Sequence, residues 1–258
     1  MAADVMVNLA VSAGVVVVLF GAVFAISLWR GRHDLVDIAW GLGFVLVAVT
    51  TFVLSDGDRA TRILLTVLTV VWGLRLAVHI GLRNLRRGED HRYVEIRARA
   101  GRRPTRYLAR AVYLIQGAVL YAVSLPVQIG QYGRTPAWLL VLGTAVWALG
   151  FVFEAVGDLQ LRRFAADPAH RGRVLDTGLW RYTRHPNYFG DAAVWWGLYL
   201  LACGTWAGVA TLPAPLLMTY VLARGTGKPL TERHLAGRPG YADYVRRTSG
   251  FLPRPPRR

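Results

Sequence analysis

The chain is poor in sulfur and in acid, and it lacks the strand-turn-helix pattern of a soluble nucleotide site. One of its 258 residues is a cysteine, Cys203. A single thiol excludes an internal disulfide and any cysteine-built metal centre. Cys203 lies in an apolar run, so it reads as a small buried hydrophobe. Acidic residues number 15 against 31 Lys and Arg, a net charge of +16. The N-terminus has no basic n-region, and the first apolar stretch therefore reads as a retained span rather than a cleaved signal. Gly225-Thr226-Gly227-Lys228 looks like part of a phosphate loop. The full pattern needs Gly at 222 and Ser or Thr at 229, where the chain has Leu222 and Pro229. Gly41 and Gly43 fall short of a dinucleotide fingerprint because no strand precedes them. No internal repeat is visible, which weighs against a transporter built from duplicated halves.

Long apolar runs are abundant. The chain is 54% hydrophobic with a mean hydropathy of +0.34. Stretches of about 20 apolar residues cross a bilayer as helices. Seven are predicted, at about 5–29, 35–54, 61–82, 107–128, 137–161, 188–204 and 207–223. The last two are short and Pro213 and Pro215 interrupt the seventh, so a re-entrant pair or a kinked span, with six crossings in all, is the alternative. With the N-terminus outside, the cytosolic segments carry 26 of the 31 cations and the outer loops only Arg59, Arg62 and Arg134. That is the positive-inside bias, and it accounts for the charge without nucleic acid. The expectation is an all-α polytopic membrane bundle of about seven helices, N outside and C cytosolic. It is one membrane domain over 1–258, with a cofactor cavity facing the cytosol.

The loop 83–106 carries nine arginines with Glu89, Asp90 and Glu95, a spacing that permits a short amphipathic surface helix. Turn signals at Gly225, Gly227 and Pro229 open the tail. Short helices are expected around Leu230–Ala236 and Tyr241–Arg247.

Residues 179–191 are the most informative stretch. Arg181, Arg184 and His185 form a cationic loop, and Pro186 then opens an apolar helix. Asn187 and Asp191 share a face one turn in. A cationic loop at a helix N-terminus is an anion site, here at the edge of a membrane-length segment. Other ionisable groups sit in spans, where they are costly and face a cavity or a partner. They are Asp37 in span two, Arg75 and His79 in span three, and Glu154 and Asp158 in span five, followed by Arg162. Arg224 closes span seven. All fall in the cytosolic halves, which implies one polar cavity open to that side. Trp29, Tyr107, Trp180 and Tyr182, near span ends, read as an interfacial aromatic belt.

Four segments carry a family resemblance: Asp34–Gly43, Glu154–Phe164, Gly178–Asp191 and Tyr241–Pro253. The chain resembles the bacterial DUF1295 membrane proteins, which are similar to the steroid 5-alpha-reductases. The Arg-His-Pro-Asn-Tyr run is shared more widely, including with isoprenylcysteine carboxyl methyltransferases and sterol reductases. The resemblance implies a nucleotide, NADPH in the reductases, held among the cytosolic loops and later helices, with 137–253 carrying the cofactor motifs. It implies that Asn187 and Asp191 hold the nicotinamide end, with Asp158 and Arg162 on the fifth helix and Arg224 near the adenosine phosphates. Glu154 falls where the steroid enzymes carry Asn. Arg75, Arg181, Arg184, His185, Tyr188 and Tyr244 complete the expected cofactor set. Asp37 stands for the acid that engages a substrate carbonyl, and His79 is the second proton-donor candidate. Span three has no Tyr at the place where the reductases polarise that carbonyl.

The leading expectation is an NADPH-dependent reductase of an activated C=C bond in a lipophilic, steroid- or isoprenoid-like substrate that enters from the lipid of a bacterial cell membrane. S-adenosylmethionine-dependent methyl transfer is the alternative, because Glu232 in Thr-Glu-Arg-His-Leu is similar to the acidic tail pattern of those methyltransferases. A non-enzymatic membrane protein is the third reading.

Overall fold

The computed structural model describes residues 2–85, 93, 96–97 and 104–257. Helix α1 spans Ala2–Arg30, α2 Val36–Leu54 and α3 Arg59–Leu85. Helix α4 (Pro104–Leu108) runs through a π-helical turn, Ala109–Leu114, into α5 (Ile115–Val123), and α6 (Leu125–Gly130) follows Ser124. Then come α7 (Ala137–Ala166), α8 (Pro186–Ala202), α9 (Trp206–Val209) and α10 (Pro213–Ala223). The tail forms α11 (Lys228–Leu235) and α12 (Tyr241–Arg247), close to where the turn signals place them. The surface helix expected within 83–106 lies largely outside the described residues.

Six helical segments are long and apolar enough to cross a bilayer: Ala2–Arg30, Val36–Leu54, Arg59–Asn84, Pro104–Gly130, Ala137–Ala166 and Trp206–Leu235. The protein is therefore a polytopic all-α membrane protein. The expected sixth span is α8, whose 17 residues rise about 25 Å, short of the roughly 30 Å apolar core. Its side chains at Val194, Trp195, Leu198 and Leu201 are fully buried, so this helix is an interior one. Pro213 opens α10, and the seventh stretch is correspondingly broken into α9 and α10. Cys203 is half-buried rather than buried.

The chain forms two compact units, Met1–Pro136 with Leu201–Thr211, and Ala137–Leu200 with Leu212–Arg258. In the first, α2 and α3 meet backbone to backbone. A Cβ on Gly73 would lie 2.6 Å from the Gly41 carbonyl oxygen, so only glycine permits the approach. The turn before α2 is tied down by charge. Arg32 forks onto Asp34 at 3.2 and 2.7 Å, and the Asn84 amide donates to the Asp34 carbonyl at 3.1 Å. At its other end α3 is opened by Asp58, whose carboxylate accepts from the Thr61 N–H and hydroxyl. The Thr61 N–H holds that carboxyl below its ordinary pKa.

In the second unit α7 and α8 use the same device. A Cβ on Gly150 would lie 2.6 Å from the Gly190 carbonyl oxygen and from the Val194 nitrogen. The chain after α12 folds back along 182–184. Thr183 pairs with Ser249 in an isolated bridge, the Arg184 N–H donates to the Ser249 carbonyl at 2.9 Å, and the Arg254 N–H donates to the Tyr182 carbonyl at 3.0 Å.

Candidate functional site

The 179–191 loop in the second unit closes on α11. Arg184 is 9% exposed, and its Nε donates to Glu232 Oε1 at 2.8 Å. Its Nη1 donates to the carbonyls of Thr248, at 2.6 Å, and Val245, at 3.2 Å. His185 Nε2 lies 3.2 Å from the same Glu232 oxygen. Burial pushes the His185 pKa below its ordinary value of 6.5, against the pull of Glu232. A neutral imidazole then donates from Nε2 to the carboxylate. The ring stacks on Tyr188 with centroids 5.2 Å apart, and the Tyr188 hydroxyl bonds the Thr231 hydroxyl at 3.1 Å. Arg184, His185 and Tyr188 therefore grip two residues of α11.

In the first turn of α8, the Asn187 side-chain amide donates to Asp158 Oδ1 on α7 at 3.1 Å, while its Oδ1 accepts from the Tyr188 N–H. Asp158 and Glu154 are both buried on α7, and Asp191 is half-buried on α8. The Tyr244 hydroxyl donates to the Trp180 carbonyl at 2.6 Å, and burial raises its pKa. Arg184, His185, Asn187, Tyr188 and Asp158 are thus parts of one bonded neighbourhood. Arg162, Arg181 and Arg224 are exposed, and among the described residues no hydrogen bond or ion pair joins them to it.

A cationic edge accompanies this neighbourhood. A Cβ built on Gly250 would lie 2.7 Å from Lys228 Nζ and 3.1 Å from Arg184 Nη2, so two cations converge over bare backbone. Set against Glu232, they leave the edge positive.

In the first unit Asp37 sits in the first turn of α2. It accepts from the Tyr93 hydroxyl at 2.5 Å, and Arg83 Nη2 lies 3.8 Å from its other oxygen. A phenol donor and a guanidinium suit a carboxylate acceptor. Beside it Trp40 Nε1 donates to Gln116 Oε1 at 2.5 Å. Arg75 and His79 are half-buried on α3.

Sequence reasoning left Glu232 out of the cofactor set, although it ties Arg184 and His185 together. The available signal was the acidic residue in Thr-Glu-Arg-His-Leu, with nothing to pair it to a loop 47 residues earlier. Tyr93 was missed because it lies beyond span three. Trp180 is corrected. It is 7% exposed and its Nε1 donates to the Gly157 carbonyl at 3.1 Å, so it is a core clamp and not part of an interfacial belt. Trp29, Tyr107 and Tyr182 are exposed, as an aromatic belt requires.

Comparison with known proteins gives one family. The model of a protein family of unknown function, DUF1295, matches residues 23–248. No curated protein and no solved structure matches the chain.

Proposed function

The chain belongs to the DUF1295 family, and from that premise we propose that it is an integral membrane reductase. It would use NADPH to reduce an activated C=C bond in a lipophilic, enone-type substrate drawn from the lipid, in the bacterial cell membrane. The observation that carries this reading is the Asn187–Asp158 bond beside the Arg184–His185–Glu232 cluster. It sets an amide and a carboxylate next to converging cations, the mixture a dinucleotide's amide, ribose and phosphates call for.

The residues fit that cofactor. Lys228 and Arg184 converge at Gly250, a paired positive charge that would meet phosphate oxygens. Asn187 and Asp158 offer donors and acceptors to the nicotinamide and ribose. NADPH held there would supply the hydride. Glu232 and the Thr248 carbonyl keep the Arg184 guanidinium in one orientation, and Asp158 does the same for Asn187. The proton donor in this reading is His79, the second candidate, because Asp37 already serves as an acceptor for Tyr93 and Arg83. Reduction places hydride on the carbon beta to a carbonyl and a proton on the alpha carbon, and negative charge develops on the carbonyl oxygen between the two events. A hydrogen bond to that oxygen stabilises it.

Methyl transfer from S-adenosylmethionine is a second reading, favoured by one observation: Glu232, the residue similar to the methyltransferase tail acid, lies at the centre of the cluster.

Thermal stability of the detergent-purified protein with NADPH, NADH and S-adenosylmethionine decides between them, because a ligand that binds the native state raises its apparent stability. The reductase reading predicts a shift with NADPH that Asn187→Ala abolishes. A shift with S-adenosylmethionine alone replaces it with methyl transfer, and no shift with any of the three rejects both.

A further inference from the structure

A cavity of 530 Å³ opens elsewhere in the second unit, between the loop that follows α7 and the α11–α12 turn with α12. Three arginines line it, Arg171, Arg173 and Arg247, with Asp176 and Tyr244. Arg247 Nη2 bonds Asp176 Oδ2 at 2.6 Å, with 52% and 39% of the two side chains exposed. A pair so exposed contributes little and is readily exchanged. The Tyr244 hydroxyl is spent on the Trp180 carbonyl. Among the described residues, no hydrogen bond or ion pair engages the guanidinium of Arg171 or Arg173. Three arginines therefore line one concavity with one weakly committed carboxylate.

The shape of the cavity is written into the backbone. Gly172 and Gly240 adopt φ of 79° and 77°, a left-handed conformation that glycine takes without strain. A Cβ at either would meet nothing within 4 Å, so both glycines are there for the turn and not for space. The turns bring Arg171 and Arg173 to the same cavity as Arg247.

We propose that this cavity is a phosphate-binding site distinct from the Arg184–His185–Glu232 cluster. Guanidinium forks match the geometry of phosphate oxygens, and several around one concavity outcompete a single exposed carboxylate. The volume lies in the range of small-molecule sites, roughly 300–1,000 Å³, so it takes a phosphate together with a headgroup-sized remainder. Asp176, released from Arg247 by the anion, accepts from a hydroxyl or ammonium on that remainder. A lipid headgroup and a soluble phosphate share this chemistry. The site does not depend on the nature of the cofactor.

The test uses the full chain in two arms. In detergent the protein is titrated with inorganic pyrophosphate by calorimetry. In mixed phosphatidylcholine and phosphatidylglycerol micelles, native mass spectrometry counts the retained phosphatidylglycerol. Wild type binds in at least one arm, more weakly as salt rises. The double variant Arg171→Gln/Arg173→Gln binds about tenfold more weakly there, because each change removes a charge-assisted fork. Both positions are exposed, and the unliganded melting temperature checks that the variant folds. The single changes, each with a smaller loss, serve if the double variant does not fold. Arg246→Gln is the control: Arg246 pairs with Asp243 on the exposed side of α12, and its loss leaves binding unchanged. A loss confined to the phosphatidylglycerol arm identifies a lipid headgroup, and a loss with pyrophosphate identifies a soluble ligand. The proposal is overturned if wild type binds neither probe, or if the double variant binds as tightly as wild type wherever wild type binds.

Discussion

In the second unit Arg184 and Glu232 meet across 48 residues of sequence, whereas in the first Arg32 and Asp34 meet across two. The first pair joins a loop to a separate helix and holds His185 as a third member. The second stiffens a single turn and leans on Asn84 for its outside contact. The local pair keeps its guanidinium partly in water, although the Asp34 carboxylate is buried. A pair that spans distant elements, with its guanidinium buried, has no water to fall back on when one partner goes.

The sharpest test of that contrast is Glu232→Ala. It leaves the Arg184 guanidinium without its carboxylate and His185 without its acceptor, an expected loss of about 2–4 kcal/mol. The apparent melting temperature in detergent measures it, and Glu232→Gln, which keeps one acceptor oxygen, should lose less. An equal loss in both variants would mean that the charge matters more than the bond. Gly150→Ala comes next. The new methyl collides with the Gly190 carbonyl and should cost about 1–3 kcal/mol. Gly14→Ala in α1, where a Cβ meets nothing within 4 Å, should instead be neutral or stabilising by up to about 1 kcal/mol. If the two alanines behave alike, packing does not distinguish these helices.

Arg32→Gln in the first unit should cost about 1–2 kcal/mol: it takes the guanidinium from the buried Asp34 carboxylate, whose side chain is 1% exposed, but the glutamine amide remains a donor to it. A loss matching that of Glu232→Ala would erase the contrast between the units. The smallest effect expected is one of pH. Burial lowers the folded-state pKa of His185, with Arg184 and Lys228 opposing its protonation and Glu232 favouring it. The stability tied to the neutral ring is therefore complete above its unfolded value of 6.5 and is lost as pH falls through the lower folded value. Melting temperatures taken between pH 8 and 5 should fall more steeply for wild type than for His185→Asn, and parallel curves would remove His185 as the cause.

The parts of the site legible in the sequence are those with local causes. Pro186 starts α8, so Asn187 and Asp191 share its first turns, and Pro213 breaks the seventh stretch into α9 and α10. The turn glycines at 225 and 227 announce α11. Trp180 was misread because an aromatic residue near a span end looks the same whether its indole faces lipid headgroups or donates to the Gly157 carbonyl. Tyr93 carried no helical pattern to connect it with Asp37, 56 residues away.

By itself, the sequence determined the all-α membrane architecture, because apolar length and the scarcity of acid constrain a chain in lipid segment by segment. It determined the helix starts and breaks as well, since proline and glycine act on their own backbone. Only the tertiary structure decided which charges meet. Arg184 with Glu232, Asp37 with Tyr93, and three arginines around one cavity are matters of distance in space. A charge reaches only a few ångströms before water or a nearer partner claims it.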